Sequence, residues 1–428
     1  VSASGRVAIV AGCRTPFARS GSVFRDLTSL DLGRACVREL VERSEIDPAQ
    51  VGLVVMGQVV ASVHAPNLGR EVVLGAGLPA STPGHTLNRA CASANQAIAD
   101  AATAILAGHT DTAIAGGAEC LSDVPILHSR RMAQALVAAS KARGLSSRVR
   151  AFAGLRLRDL APQTPAIAEP STGLSMGQSA EKMAKENGIP REEQDRIAFL
   201  SHHNAAKALD AGLLQPEIAP LPVPPRYTEV VAEDNLVRRD TSLEALALLK
   251  PVFDRRHGSV TAGNSSPLTD GAAAVLLMSE ERAKACGHAP LAYIRSWAVA
   301  AVDPAGQLLM GPALAVPKAL ERAGIALSDV DLIEMHEAFA VQVASNVQAL
   351  ESDAWAREHL GRDKAVGRVD RDKLNVHGGS IALGHPFGAT GARITTTLAR
   401  EMARRDAKFG LISVCAQGGM GFAMVLER

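Results

Sequence analysis

Residues 35–58, ACVRELVERSEIDPAQVGLVVMGQ, lie without a gap on residues 314–337, LAVPKALERAGIALSDVDLIEMHE. Val37/Val316, Glu42/Glu321, Arg43/Arg322, Ile46/Ile325, Val51/Val330, Leu53/Leu332 and Met56/Met335 are identical, and both stretches have the spacing of a helix followed by a strand. The repetition predicts two copies of one α/β half. Under it Gly57 and His336 fall at equivalent strand ends, and in open α/β sheets ligands gather at the carboxyl ends of strands.

Outward from the first copy, RVAIVAGCRTPF is a short β-branched run ending at a turn, a helical pattern covers Asp31 to Arg43, and VGLVVMGQVV is a second strand. Strand, helix and strand in alternation predict a largely parallel sheet with helices on its faces. Between the copies, a stretch rich in proline and charge that includes LPVPPRY at 221–227 reads as an inserted domain or long excursion. The expected division is 1–120 plus 251–290, then 121–250, then 291–428.

With 428 residues the chain suits two or three such units, and aromatics at 3% require a core of small aliphatic side chains. A formal charge of +1 excludes the field of a nucleic-acid binder. Locally the balance breaks: His128 to Arg158 holds eight basic residues and no Asp or Glu. Two uses are open for this segment, a peripheral contact with an anionic membrane, or a solvated rim that attracts the phosphates of a ligand or docks a partner. Six scattered cysteines without a CxxC pair read as free thiols of a reducing compartment. No charged-then-apolar leader and no 18-residue apolar run occurs, so a soluble chain is expected, cytoplasmic in a bacterium or in the mitochondrial matrix of a eukaryote.

The chemistry concentrates in a few segments. LNRACASANQAIADAATAILAG sets Cys91 ahead of a helix of small residues, where backbone N–H groups are expected to lower a thiol pKa. NVHGGSIALGHPFGATGARI holds five glycines from Gly378 to Gly391 with His385 in the GHP turn, and it matches neither nucleotide-loop pattern. FGLISVCAQGGMGFAMVLER reads as strand, glycine turn and strand, with Cys415 at the end of the first. IEMHEAFAVQ places His336 at a strand-to-helix junction. Taken singly, Cys91 and His336 read first as ordinary core residues, and Cys415 reads equally well as one. No metal site is expected, because the histidines at 336, 377 and 385 lack spacings such as HExxH.

Together NRACASANQA, HEAFA, GGSIALGHPFGATG and CAQGGMG, with TAGNSSPLTDGAAAVLLMS at 261–279, resemble the thiolase family in order and spacing over essentially the whole chain. HEAFA, GHPFGATG and SDVPILHSRRM resemble more narrowly its long-chain degradative branch, the type of the trifunctional-protein β subunit. The resemblance implies an α/β fold of duplicated halves in a five-layer αβαβα core with an inserted loop domain. It implies cleavage of a 3-ketoacyl-CoA by CoA in fatty-acid β-oxidation, on medium or long chains, with CoA as co-substrate and no permanently bound cofactor. It also implies a homodimer or larger assembly, with a hydratase/dehydrogenase α subunit as a further partner.

By the same resemblance Cys91 is the acyl-accepting nucleophile, His385 its base and Cys415 the acid/base at the acetyl carbon. His336 and His385 would hold the enolate oxygen, and the backbone N–H groups of Cys91 and Gln417 the tetrahedral oxyanion. Arg238 and Ser266 would contact CoA, and Met176 and Phe339 would wall the acyl tunnel. The chain departs from the common pattern twice: many thiolases have Asn at the place of His336, whose tautomer must here present an N–H, and Gln417 replaces a glycine, a strained position if its φ is positive. A 3-ketoacyl-ACP synthase, which would lack Cys415 in a glycine turn, and a silent acyl-CoA carrier are the competing readings.

Overall fold

A computed structural model describes residues 5–162 and 168–428; residues 1–4 and 163–167, at the start of the first predicted unit and inside the predicted excursion, lie outside this description. The strands are β1 (Val7–Arg14), β2 (Ala18–Arg19), β3 (Leu53–Gly57), β4 (Gly84–Leu87), β5 (Thr112–Glu119), β6 (Leu221–Val223), β7 (Glu229–Val231), β8 (Thr269–Ser279), β9 (Ala292–Ala301), β10 (Leu332–Met335), β11 (Phe409–Ala416) and β12 (Met420–Glu427). The main sheet runs β10-β11-β12-β9-β1-β8-β5-β3-β4, with β2 beside β8, while β6 and β7 form a separate hairpin.

The repeat is physical. Helix α1 (Ser29–Ser44) closes on Glu45 in the left-handed region, and α8 (Gly311–Ala323) closes on Gly324 in the same conformation, the residue aligned with Glu45. One-turn 3-10 segments follow at Pro48–Gln50 and Leu327–Asp329, then β3 and β10. In each half a second helix leads into the next strand: α3 (Ser93–Leu106) into β5, and α10 (Thr390–Arg405) into β11. Each of those strands pairs in parallel with its half's repeat strand, β5 with β3 and β11 with β10.

The expectation of a largely parallel sheet needs correction. β4, β3 and β5 are parallel, as are β10 and β11, but β8 and β12 enter antiparallel, and β1 joins β8 and β9 antiparallel. A helical crossover forces parallel pairing only where it directly links two neighbours. β8 arrives after an excursion of about 150 residues, and β12 follows β11 through a tight turn, the geometry of an antiparallel pair.

Layers follow from the small residues. α3 and α10 pack on each other and are covered on both sides, α3 by β3 and β5, α10 by β1, β8 and β11, around a core of alanines such as Ala94, Ala97, Ala101, Ala392 and Ala399. With α1 and α2 (Leu68–Gly75) outside one half, and α8 and α9 (Ala340–Leu350) outside the other, the order is helix, sheet, helix, sheet, helix. Gly391 shows how close the middle helices lie. A Cβ there would stand 2.6 Å from the backbone nitrogen of Asn95, whose side chain donates to the Gly391 carbonyl at 3.3 Å. Gly391→Ala is therefore expected to cost about 1–3 kcal/mol through overpacking, read as a lower urea midpoint; an unchanged midpoint would mean that the two helices can part without penalty.

Between β5 and β8 the chain leaves the sheet. It forms α4 (Arg130–Lys141), α5 (Leu145–Arg150), α6 (Met176–Glu186) and α7 (Arg191–Asp210), and α6 and α7 pack on α9. No helix among the described residues is long and apolar enough to cross a membrane.

Candidate active site

The pseudo-symmetric middle helices bring two loops together. Cys91 sits just before α3 on a turn tied by Asn88 Oδ1, which accepts from Ala90 N at 2.9 Å, and by Ser93 Oγ, which accepts from Arg89 N at 2.8 Å. Ala90 pays a backbone cost for that turn, with φ of 46°. His385 sits just before α10, after Gly384 at φ 101°, a conformation suited to glycine. Its Nε2 lies 3.2 Å from Cys91 Sγ and its Nδ1 2.6 Å from Thr390 Oγ1. A lone pair on Nε2 facing the thiol requires the ring proton on Nδ1, donated to Thr390.

His336 follows β10 at the strand's carboxyl end, and its ring centroid is 4.1 Å from that of His385. Nδ1 meets Ser380 Oγ at 2.8 Å, whereas Nε2 is buried without a partner among the described residues. The ligand-capable atoms of Cys91, His336 and His385 all lie within 4.8 Å of one another, a grouping that sequence spacing hides. Cys415, at the end of β11, is fully buried in an apolar cluster with Val260, Met310 and Phe339, against which Met176 and Phe253 also pack. Met176 and Phe339 are thus gathered beside Cys415.

The thiol chemistry differs from the expectation at Cys91. Burial pushes it up to about 12, opposed by the N–H groups of Gln417 and of Cys91 itself. Desolvation outweighs the stabilising N–H groups of the helix terminus here. Burial, with the Arg393 charge adding to it, presses His385 down to about 3, and burial with the nearby His385 and Arg393 holds His336 well below its ordinary value. Burial and the neighbouring Cys91 hold Cys415 well above the usual thiol range. The resting centre is therefore neutral: two thiols and two imidazoles.

Gln417 is free of the feared strain, since its φ is not positive; Gly418 and Gly419 take the left-handed positions, at 84° and 73°. Gln417 Nε2 donates to Ala168 O and Gly418 N to Glu169 Oε2, both at 3.0 Å, so the excursion grips this turn. Arg238 lines a narrow cleft with His202, Ser265 and Pro267, and its backbone N donates to His202 Nδ1 at 3.1 Å. Ser266 Oγ donates to Ala338 O at 3.1 Å, and the neighbouring Ser265, whose Oγ donates to Thr261 O at 2.7 Å, lines the same cleft as Arg238.

Several contributors escaped the motif reading. Glu119, fully buried at the end of β5, accepts from Val59 N, Val60 N and Gly388 N at 2.9 to 3.1 Å, tying the loops after β3 and after His385 to one carboxylate. Burial raises it to about 7. Glu337 accepts from Ser201 Oγ and Asn375 Nδ2, each at 2.7 Å, and so pins α7 beneath the His336 loop. A lone carboxylate ending the apolar run TAIAGGAE was the available signal for Glu119.

Residues 7–281 match the family model described as Thiolase, N-terminal domain, and residues 288–428 match Thiolase, C-terminal domain. A 3-ketoacyl-CoA thiolase of Serratia proteamaculans (strain 568) is 53% identical over 422 residues, 99% of this chain and 97% of that protein. One of Yersinia pestis (strain Pestoides F) is 52% identical over the same shares. The crystal structure of the Bacillus anthracis acetyl-CoA acetyltransferase superposes with a TM-score of 0.84 at 35% identity, covering 99% of this chain and 98% of that one. With both family domains matched in order over nearly the whole chain, the chain belongs to the thiolase family of acyltransferases.

Proposed function

We propose that the protein cleaves 3-ketoacyl-CoA with CoA to acetyl-CoA and a shortened acyl-CoA, with Cys91 as nucleophile. The contact of 3.2 Å between Cys91 Sγ and His385 Nε2 carries this reading. Because the resting pair is neutral, the proton moves to Nε2 as sulfur attacks the ketone, and the imidazolium forms only as negative charge appears on the substrate. That transfer turns Nε2 from acceptor into donor, so His385 joins His336 in holding the enolate oxygen when the C–C bond breaks. The N–H groups of Cys91 and Gln417, which face the sulfur, hold the tetrahedral oxyanion. Cys415, kept protonated by burial, delivers the proton to the acetyl carbon and later takes one from the incoming CoA thiol. The chemistry runs on side chains and CoA alone.

Arg238 and Ser266 contact CoA, a path supported by the cleft that Arg238 lines with the neighbouring Ser265, and Met176 and Phe339 wall the acyl tunnel, supported by their sharing one apolar cluster with Cys415. Residues 121–250 act as a loop domain over the site, between halves 1–120 plus 251–290 and 291–428, a division supported by the grip of Ala168 and Glu169 on the turn after Cys415. A homodimer or larger assembly, with a hydratase/dehydrogenase partner in fatty-acid β-oxidation, completes the proposal. Purified protein given CoA and 3-ketoacyl-CoAs of graded length tests it, with turnover rising toward medium and long chains expected. Absence of acetyl-CoA at every length would defeat it.

A peripheral membrane contact through 128–158 is part of the same reading. Val137, Leu145, Val149, Leu157 and Leu160 are each more than half exposed among exposed basic residues, a surface suited to an anionic bilayer. Each Lys or Arg near such a surface contributes about 1 kcal/mol. Co-sedimentation with anionic liposomes at low salt, released by salt and lost on replacing Arg148, Arg150, Arg156 and Arg158 by Glu, is expected. Binding unaffected by that replacement, or none at low salt, would leave partner docking as the role of the segment.

A further inference from the structure

We propose that Ser380, clamped by Arg393, is a positioning residue that fixes the single proton of His336 on Nε2 and so makes that imidazole a hydrogen-bond donor to substrate. The inference rests on the thiolase reading of the site and concerns how one of its oxyanion donors is prepared. A neutral imidazole carries its proton on either nitrogen, and only one tautomer presents an N–H at Nε2.

Hydrogen-bond bookkeeping selects it. Arg393 Nη2 lies 3.2 Å from Ser380 Oγ, and a guanidinium only donates, so the serine oxygen is an acceptor there. Ser380 is fully buried, and among the described residues its hydroxyl has one other hydrogen-bond partner, His336 Nδ1 at 2.8 Å. If Nδ1 carried the proton, Ser380 would accept twice and its own hydrogen would be buried without an acceptor, a cost of about 1–3 kcal/mol. With the hydroxyl donating to a bare Nδ1, both the Ser380 hydroxyl and Nδ1 are satisfied and the imidazole proton sits on Nε2, an atom that has no partner among the described residues in either tautomer. That nitrogen is the buried, unpartnered atom facing Cys91 and His385. Arg393 is anchored in turn, 1% exposed, with Nη1 3.4 Å from Glu334 Oε2 at the end of β10.

The arrangement also explains how a histidine serves where an amide is common in the family. An Asn side chain offers its N–H without a tautomer to set; a histidine needs a neighbour that sets it. A double-mutant cycle therefore separates a proton lock from a packing role. Ser380→Ala in the otherwise native protein is expected to lower kcat for thiolysis about 10- to 100-fold, below the loss typical of deleting a donor outright. KM should stay within about twofold. Acylation of Cys91 by a reactive acyl thioester, followed by intact mass, should slow less than about threefold, because its oxyanion uses the N–H groups of Cys91 and Gln417.

In a His336→Asn background the same Ser380→Ala change should lower kcat less than about threefold further. Equal losses in both backgrounds, or no loss in the native one, would overturn the lock while leaving thiolase activity intact. Absence of thiolysis by the unmodified protein would instead overturn the reading beneath it. Should Ser380→Ala fail to fold, Ser380→Cys is near-isosteric with a much weaker donor, and it carries the same expectations and the same overturning results.

Discussion

Cys91→Ser is expected to lower thiolysis by about 1,000-fold or more, a barrier increase of about 4 kcal/mol, while acyl-CoA still binds. The reason lies in the base as much as in the nucleophile. His385 meets the hydroxyl of Thr390 at Nδ1, not a carboxylate, and burial with Arg393 nearby presses its basicity down to about 3. Serine is activated in Ser-His-Asp centres by an imidazole whose developing charge a buried carboxylate stabilises. Among the described residues His385 has no such partner, so the base copes with the more acidic and more polarisable thiol and fails with the alcohol of serine. Consumption of 3-ketoacyl-CoA and equilibrium binding of an acyl-CoA, measured together, check it. Activity within about tenfold of the native protein would remove Cys91 from the role of nucleophile.

The residues proposed to react stand out in the sequence because each sits in a segment whose glycines or small residues have few other reasons to cluster. Cys91 precedes an alanine-rich helix, His385 follows Gly384, and Cys415 precedes Gly418 and Gly419. The duplication was legible because helix and strand spacings recur with identities at buried positions such as Val37 and Val316. What escaped the sequence depends on distance along the chain. Ser380 meets His336 across 44 residues, and Glu119 reaches Gly388 across 269. Local pattern carries no trace of either pairing. Strand direction escaped for a related reason: β8 returns to the sheet after the long excursion, and nothing near it in sequence encodes which way it enters. The state of the thiol at Cys91 was misjudged because a helix terminus is visible in sequence and desolvation is not.

Cys415→Ala is expected to divide the reaction. Breaking the C–C bond leaves a carbanion equivalent at the acetyl carbon, which departs only as it is protonated, and Cys415 is proposed as its acid. Transfer of an acyl group from a thioester to Cys91 expels CoA thiolate instead, whose conjugate thiol has a pKa near that of cysteine, about 8.5, so it leaves without strong acid assistance. Loss of the acid should thus slow thiolysis by about 1,000-fold but acylation of Cys91 by acyl thioester by about tenfold at most. Burial of Cys415 among Val260, Met310 and Phe339 sharpens the contrast, because little else in that apolar wall donates a proton. The alanine leaves space for about one sulfur atom, so the packing cost is small beside the chemical one. Intact-mass detection of acylated Cys91 beside steady-state thiolysis provides the comparison. If the two rates fall together, Cys415 supports the nucleophile or the fold and the acid must be sought elsewhere; if acylation persists while cleavage stops, the proton at the acetyl carbon comes through Cys415.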